Sequence, residues 1–167
     1  MSGGIERMCR EMANYLNSCG VPARAAWPAE QREEQDGPVT VVSLRGCQMG
    51  PAGFQDYLGE RYDAESGLWQ EQYGRKAELT FGLDLYGREK GAGEEMQAAF
   101  DALAGALLLR RPGDLEVREL SCGQIVYDSE SRRLKWPAEA KCLAYLCAVT
   151  CGDSAFIDFE LRGVAKV

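Results

Sequence analysis

The sequence predicts a single α+β domain, a mainly antiparallel sheet with long β-hairpins packed by two helices in the order α-β-β-β-α-β-β-β. Three observations predict it. Leu79, Phe81, Leu83 and Leu85 alternate with Glu78, Thr80, Gly82 and Asp84, the period of a strand with one buried and one polar face. Met96, Phe100, Leu103 and Leu107 recur at helical spacing, widened by Ala99, Ala102 and Ala106. Finally, Tyr62-Asp63-Ala64-Glu65-Ser66-Gly67-Leu68-Trp69 is echoed by Tyr127-Asp128-Ser129-Glu130-Ser131-Arg132-Arg133-Leu134-Lys135-Trp136. Each echo runs from an aromatic residue through a polar tip to Leu and then Trp, which suits two β-hairpins built alike.

The first element is a helix over 4–19, with Ile5, Met8, Cys9, Met12, Leu16 and Cys19 on one stripe and Gly20 and Pro22 as its stop. Residues 29–37 are charged and lack an apolar period, so a solvated loop is expected there. Residues 39–44 are β-branched and predict a short strand ending at Gly46, followed by a turn-rich exposed loop over 47–53. The first hairpin then goes out over 54–62, turns over 63–67 and returns over 68–86. A loop over 87–93 leads into the second helix, 94–109. Glu94 and Glu95 at its start and Arg110 and Arg111 at its end complement the helix dipole, and Pro112-Gly113 ends it. The second hairpin goes out over 115–127, turns over 128–132 and returns over 134–150. That returning strand is apolar on both faces, with Ala140, Cys142 and Ala144 on one and Leu143, Tyr145 and Cys147 on the other, as a central strand or one lying between the core and a partner surface would be. A last alternating strand covers 155–162, with Ile157, Phe159 and Leu161 inward. No domain boundary interrupts residues 1–167.

Composition excludes several chemistries. The chain has 167 residues and a net charge of −7, which argues against nucleic-acid phosphate as the main partner. No stretch approaches the roughly 20 apolar residues of a membrane span, and residues 1–4 lack the layout of a signal peptide, so the cytoplasm is the expected compartment. There is no histidine, which removes Ser-His-Asp and Cys-His catalysis and every His-ligated metal site. Seven cysteines, with a tightest spacing of Cys147 to Cys151, suit buried small side chains better than a disulfide framework or zinc site. No cofactor is expected. Glu78 and Asp84 are the acids to weigh for carboxylate hydrolysis, but their alternation with apolar residues points them at solvent.

The Leu-rich strand Glu78-Leu79-Thr80-Phe81-Gly82-Leu83-Asp84-Leu85-Tyr86, the glycine loop after it and the helix over 94–109 resemble the tail-terminator and tail-completion (neck) proteins of long-tailed phages and prophages. The resemblance covers most of the chain as an order of elements, not as a sharp motif. It implies a structural virion protein and not an enzyme: a ring of identical subunits, six in that family, capping the tail tube and meeting neck proteins. It would assemble in the bacterial cytoplasm and end in the virion. The two aromatic tips and the seven cysteines depart from the family pattern. Tyr57, Tyr62, Trp69, Tyr73, Tyr127 and Trp136 are the interface candidates, since aromatic anchors on hairpins concentrate binding energy. The same residues also suit pairing across their own hairpins. Two other functions fit the same order of elements, a protein-binding module outside the virion and a carboxylate-dependent hydrolase.

Overall fold

The computed structural model describes residues 4–32, 36–51, 57–89, 92–110, 112, 115–149 and 158–162. Helix α1 (Gly4–Ser18) buries Met8, Cys9, Met12, Ala13, Tyr15 and Leu16 on one stripe, as the spacing requires. Gly20 ends it in the left-handed region at φ 80°, the conformation glycine adopts at least cost. Two short elements follow, strand β1 (Ala23–Arg24) and the one-turn helix α2 (Ala29–Arg32). The expected loop over 29–37 therefore begins as a helical turn.

The sheet is built around one long strand, β4. Strands β2 (Val39–Pro51) and β3 (Tyr57–Asp63) line one edge of β4 (Leu68–Gly87) end to end. On the other edge lie β7 (Arg133–Trp136) and β8 (Ala138–Val149), separated only by Pro137. Strands β5 (Glu116–Cys122) and β9 (Asp158–Arg162) pair with β8, and β6 (Val126–Asp128) pairs with β7. Apart from β1, which runs parallel to β2, these pairings are antiparallel. The α+β fold with its long hairpins is as the sequence predicts. Strand β8 is bonded along both edges, but its faces differ: Ala138, Ala140, Cys142 and Ala144 enter the core, whereas on the other face Leu143 is buried and Lys141 and Tyr145 are exposed.

A second expectation is corrected. The exposed loop expected over 47–53 is, through Pro51, a continuation of β2, paired from Cys47↔Leu79 to Pro51↔Arg75. A bulge between Leu44 and Gly46 lets the strand pass its glycine and keep pairing, and Pro51 falls on its last residue, where a missing donor costs least.

Both helices cover one face of the sheet. Ala77, Leu79, Phe81, Leu83 and Leu85 of β4 share a core with Ala138, Ala140, Cys142 and Ala144 of β7–β8's arm and with α1. Helix α3 (Ala92–Ala104) adds Met96 and Leu103, and its π-helical continuation Gly105–Leu109 adds Ala106 and Leu107. The Tyr15 hydroxyl donates to the Ala106 carbonyl at 2.6 Å and ties the two helices together. Burial, with Cys19 next to it, pushes that phenol up to about 12.

The other face is polar and carries one ion network. The bulged Arg45 reaches across Gly82 to Asp84 (2.5 Å) and Glu139 (3.0 Å), and Lys135 lies 3.6 Å from Asp84. Gly82 is needed for that approach, because a Cβ there would stand 2.5 Å from Ser43 Oγ and 2.7 Å from Arg45 Nε.

Candidate functional site: two hairpin tips and an arginine basin

The echoed segments form the same turn. In each, four residues separate paired ends, Asp63↔Leu68 and Asp128↔Arg133. The Asp63 carboxylate accepts the Glu65 amide at 3.1 Å. The Asp128 carboxylate accepts the Ser131 amide at 3.0 Å and its hydroxyl at 2.5 Å. Hydrogen bonding from Ser66 and from Ser131, respectively, holds the two carboxyls below their usual values. The last turn residue is left-handed in both, Gly67 at φ 69° and Arg132 at φ 55°. The echo is therefore shared turn chemistry. An arginine in that conformation costs about 1 kcal/mol more than a glycine.

The Asp128 turn makes a pH-dependent prediction. The bonds favour the ionised carboxylate, so the folded pKa is depressed and the stabilisation is full above the unfolded value of about 4. It is lost as pH falls through the folded value. Ser131→Ala removes the hydroxyl bond. Its destabilisation, measured by urea unfolding, is expected to be constant above about pH 5 and to shrink steadily below about pH 4.

The tips differ in where their aromatics go. On the first hairpin Tyr62 and Trp69 are cross-strand partners with ring centroids 5.5 Å apart, and Tyr57 meets Tyr73 edge-on at 5.6 Å. The Tyr73 hydroxyl donates to Glu71 at 2.6 Å, which raises its phenol pKa. Cross-strand pairing does not hide these rings, for Tyr62 stays 52% and Trp69 68% exposed, beside Leu68 at 65%. On the second hairpin the residue opposite Tyr127 is Leu134, and Trp136 lies two residues further from the tip. Tyr127 is exposed together with its neighbours Ile125 and Val126. Trp136 instead turns inward, stacking on Phe100 at 4.8 Å and donating its Nε1–H to the Gly123 carbonyl at 2.9 Å. Of the six candidates, Tyr57, Tyr62, Trp69 and Tyr73 share one projecting arm, Tyr127 lies on another, and Trp136 packs on the core.

At the far end of β4 is a feature the sequence reading did not single out. Trp27 packs on Tyr86 of the open face at 4.8 Å, and the guanidinium groups of Arg32 and Arg133 each lie 5.5 Å from the Trp27 ring. Arg133 is only 8% exposed and donates to the Arg32 carbonyl at 2.5 Å. Burial and then the nearby Arg88 lower its pKa. Arg32, Arg88, Arg132 and Arg133 line a depression of about 460 Å³ together with Glu89, Glu130 and Ser131. Glu130 lies 3.5 Å from Arg32 and Asp36 bonds Arg88, both carboxylates being more than 80% exposed. Arg132 and Arg133 are adjacent, but Arg32 and Arg88 lie far from them and from each other along the chain, and no local spacing reveals their convergence.

The hydrolase acids are not brought together. Glu78 and Asp84 are six residues apart on β4, about 20 Å along the strand. Asp84 is engaged by Arg45 and Lys135. Glu78 lines a second trough, about 550 Å³, with Arg118, Glu119 and Lys141, but it is exposed and lies near Lys76. Among the described cysteines, Cys9 and Cys142 are buried, Cys19 is half-buried, and Cys47 and Cys122 are exposed. Burial pushes the Cys142 thiol up to about 12, which keeps it protonated and unreactive. Cys151 and the expected inward residue Ile157 lie outside the described residues, while Cys147 on β8 and Phe159 and Leu161 on β9 are described by their strand pairing alone. Among the described residues, no group of three or more Cys, Asp or Glu is placed to hold a metal, and no helix is long and apolar enough to cross a membrane.

No protein-family model matches this sequence, and no curated protein matches it.

Proposed function

We propose that this chain is a structural assembly protein of a phage or prophage, a tail terminator or head–tail joining component that forms a homo-oligomeric ring at the end of the tail tube. The observation that carries this reading is the first hairpin, which holds Trp69, Tyr62 and Leu68 exposed at the end of a helix-backed sheet. Exposed large aromatics held in fixed cross-strand geometry are what a protein-binding anchor needs, because little side-chain entropy remains to be lost on contact. The order of elements gives the likeness to tail terminators, from which the six-fold ring, the tail-tube and neck partners, and the virion location follow. Function on this reading comes from surfaces that assemble, not from catalysis.

Trp69→Ala is the direct test. The side chain is outside the core, so the monomer is expected to keep its unfolding free energy within about 0.5 kcal/mol. Loss of a hot-spot aromatic is expected to weaken assembly by about tenfold or more. Light scattering across a concentration series reads the second effect, and an unchanged assembly size removes Trp69 from the interface. Negative-stain images of the wild-type protein with tail tubes test the ring itself. Partner binding without rings would instead support a binding module outside the virion.

A further inference from the structure

We propose that the arginine basin around Trp27 receives the acidic, aromatic tip of the first hairpin from a second copy of this chain. The inference rests on the assembly reading above and names the two surfaces that meet. Charge complementarity is its first support. Over residues 57–73 the hairpin carries Glu60, Asp63, Glu65 and Glu71 against Arg61 alone. The basin gathers four arginines with Glu89 and Glu130, and Asp36 pairs with Arg88 beside it, which leaves a small positive excess on a chain whose net charge is −7. A positive depression on an acidic protein is a selective landing place for an acidic segment of a second copy.

The second support is the placement of the two surfaces. The tip adjoins Leu68, where β4 begins, and the basin surrounds Arg88, one residue past its end at Gly87. A strand of 20 residues separates them by about 60 Å. Complementary patches this far apart cannot meet within one molecule. Between copies they form a head-to-tail contact, the kind that closes into rings or extends into filaments.

Arg132 is the third support. The sister turn places Gly67 at the equivalent left-handed position, where no side chain is strained. The second turn keeps an arginine there despite the conformational cost, and its side chain lines the basin. Stacking on Trp27 meanwhile restricts Arg32 and Arg133 before any partner arrives. The carboxylates now beside the basin, Glu130 and Asp36, are exposed and easily exchanged for those of an incoming tip.

Charge reversal on each side tests the contact by sedimentation velocity. One variant carries Glu60→Arg and Glu65→Arg, the other Arg88→Glu and Arg132→Glu. The wild-type protein is expected to associate more strongly at low than at high salt, and each variant alone to lose at least about tenfold in association constant. Mixing the two variants in equal amounts is expected to restore association, since every basic tip then finds an acidic basin and every acidic tip a basic one. Arg132→Gly, which suits the left-handed turn and keeps the fold, is expected to weaken association several-fold. Assemblies that persist unchanged in both charge-reversed proteins would overturn this contact while leaving a ring-forming protein. A mixture that fails to associate, or a wild-type chain that stays monomeric at every concentration in low salt, would overturn it as well. Rings on tail tubes then decide the assembly reading separately.

Discussion

Phe81→Ala is expected to lower the free energy of unfolding by about 3–5 kcal/mol. Phe81 is fully buried on the core face of β4, flanked in the same strand by Leu79 and Leu83. Its partners across the sheet are Leu44 on one side and Ala140 on the other. Ala140 is small, so no neighbour on that strand can expand into the space, and the cavity left by the ring stays largely open. A domain of this size has about 5–15 kcal/mol in all, so the variant is expected to be only marginally folded. Urea unfolding measures the loss, and a change below about 1.5 kcal/mol would mean that the helices collapse onto the sheet far more readily than their packing indicates. Leu83→Ala, also fully buried, serves as the companion measurement.

Arg45→Met is expected to cost about 2 kcal/mol, less than a fully buried ion pair because the arginine side chain is 31% exposed. The loss is not the attraction alone. Asp84 has a side chain only 13% exposed, and without Arg45 its carboxylate would rely on Lys135 at 3.6 Å. Adding Asp84→Asn to Arg45→Met removes the stranded charge and is expected to recover at least half of the stability. Gly82→Ala is expected to reproduce part of the Arg45 effect by displacing the guanidinium, since its new Cβ would occupy the path the side chain takes. A double-mutant cycle by chemical denaturation checks all three. Strict additivity of Arg45→Met and Asp84→Asn would refute the coupling.

Much of the architecture was legible because it is written at short range. The alternation from Glu78 to Tyr86 states both the strand and its buried face, and the stripe from Met96 to Leu107 states the helix. The two hairpin turns follow from Asp, Ser and a left-handed fourth residue, all within ten positions. The continuation of β2 through Cys47–Pro51 was hidden by glycine and proline, which signal a loop in isolation. There the long neighbour β4 supplies a complete row of partners and outweighs local preference. Strand β1 was hidden for the opposite reason, because two residues with a parallel partner show no period at all.

The candidate site divides along the same line. The exposure of Trp69 and the turn chemistry around it come from neighbouring residues and could be anticipated. The inward turn of Trp136 depends on two extra residues between it and its tip, a difference that looks slight in the sequence and moves the ring onto Phe100. The arginine basin needs three segments, from α2, the end of β4 and the second turn, and only the completed sheet brings them together.

The length of β4 also has a mechanical meaning. It is a single unbroken strand with the aromatic tip at one end and the basin at the other, bonded on both edges over most of its course. Antiparallel hydrogen bonds lie across the strand direction. A pull between the two ends therefore loads them side by side in shear, and they cannot be opened one by one as in a zipper. If copies of the chain join end to end as proposed above, tension between them would be borne by the strongest axis of the sheet, with the helices acting only as its backing.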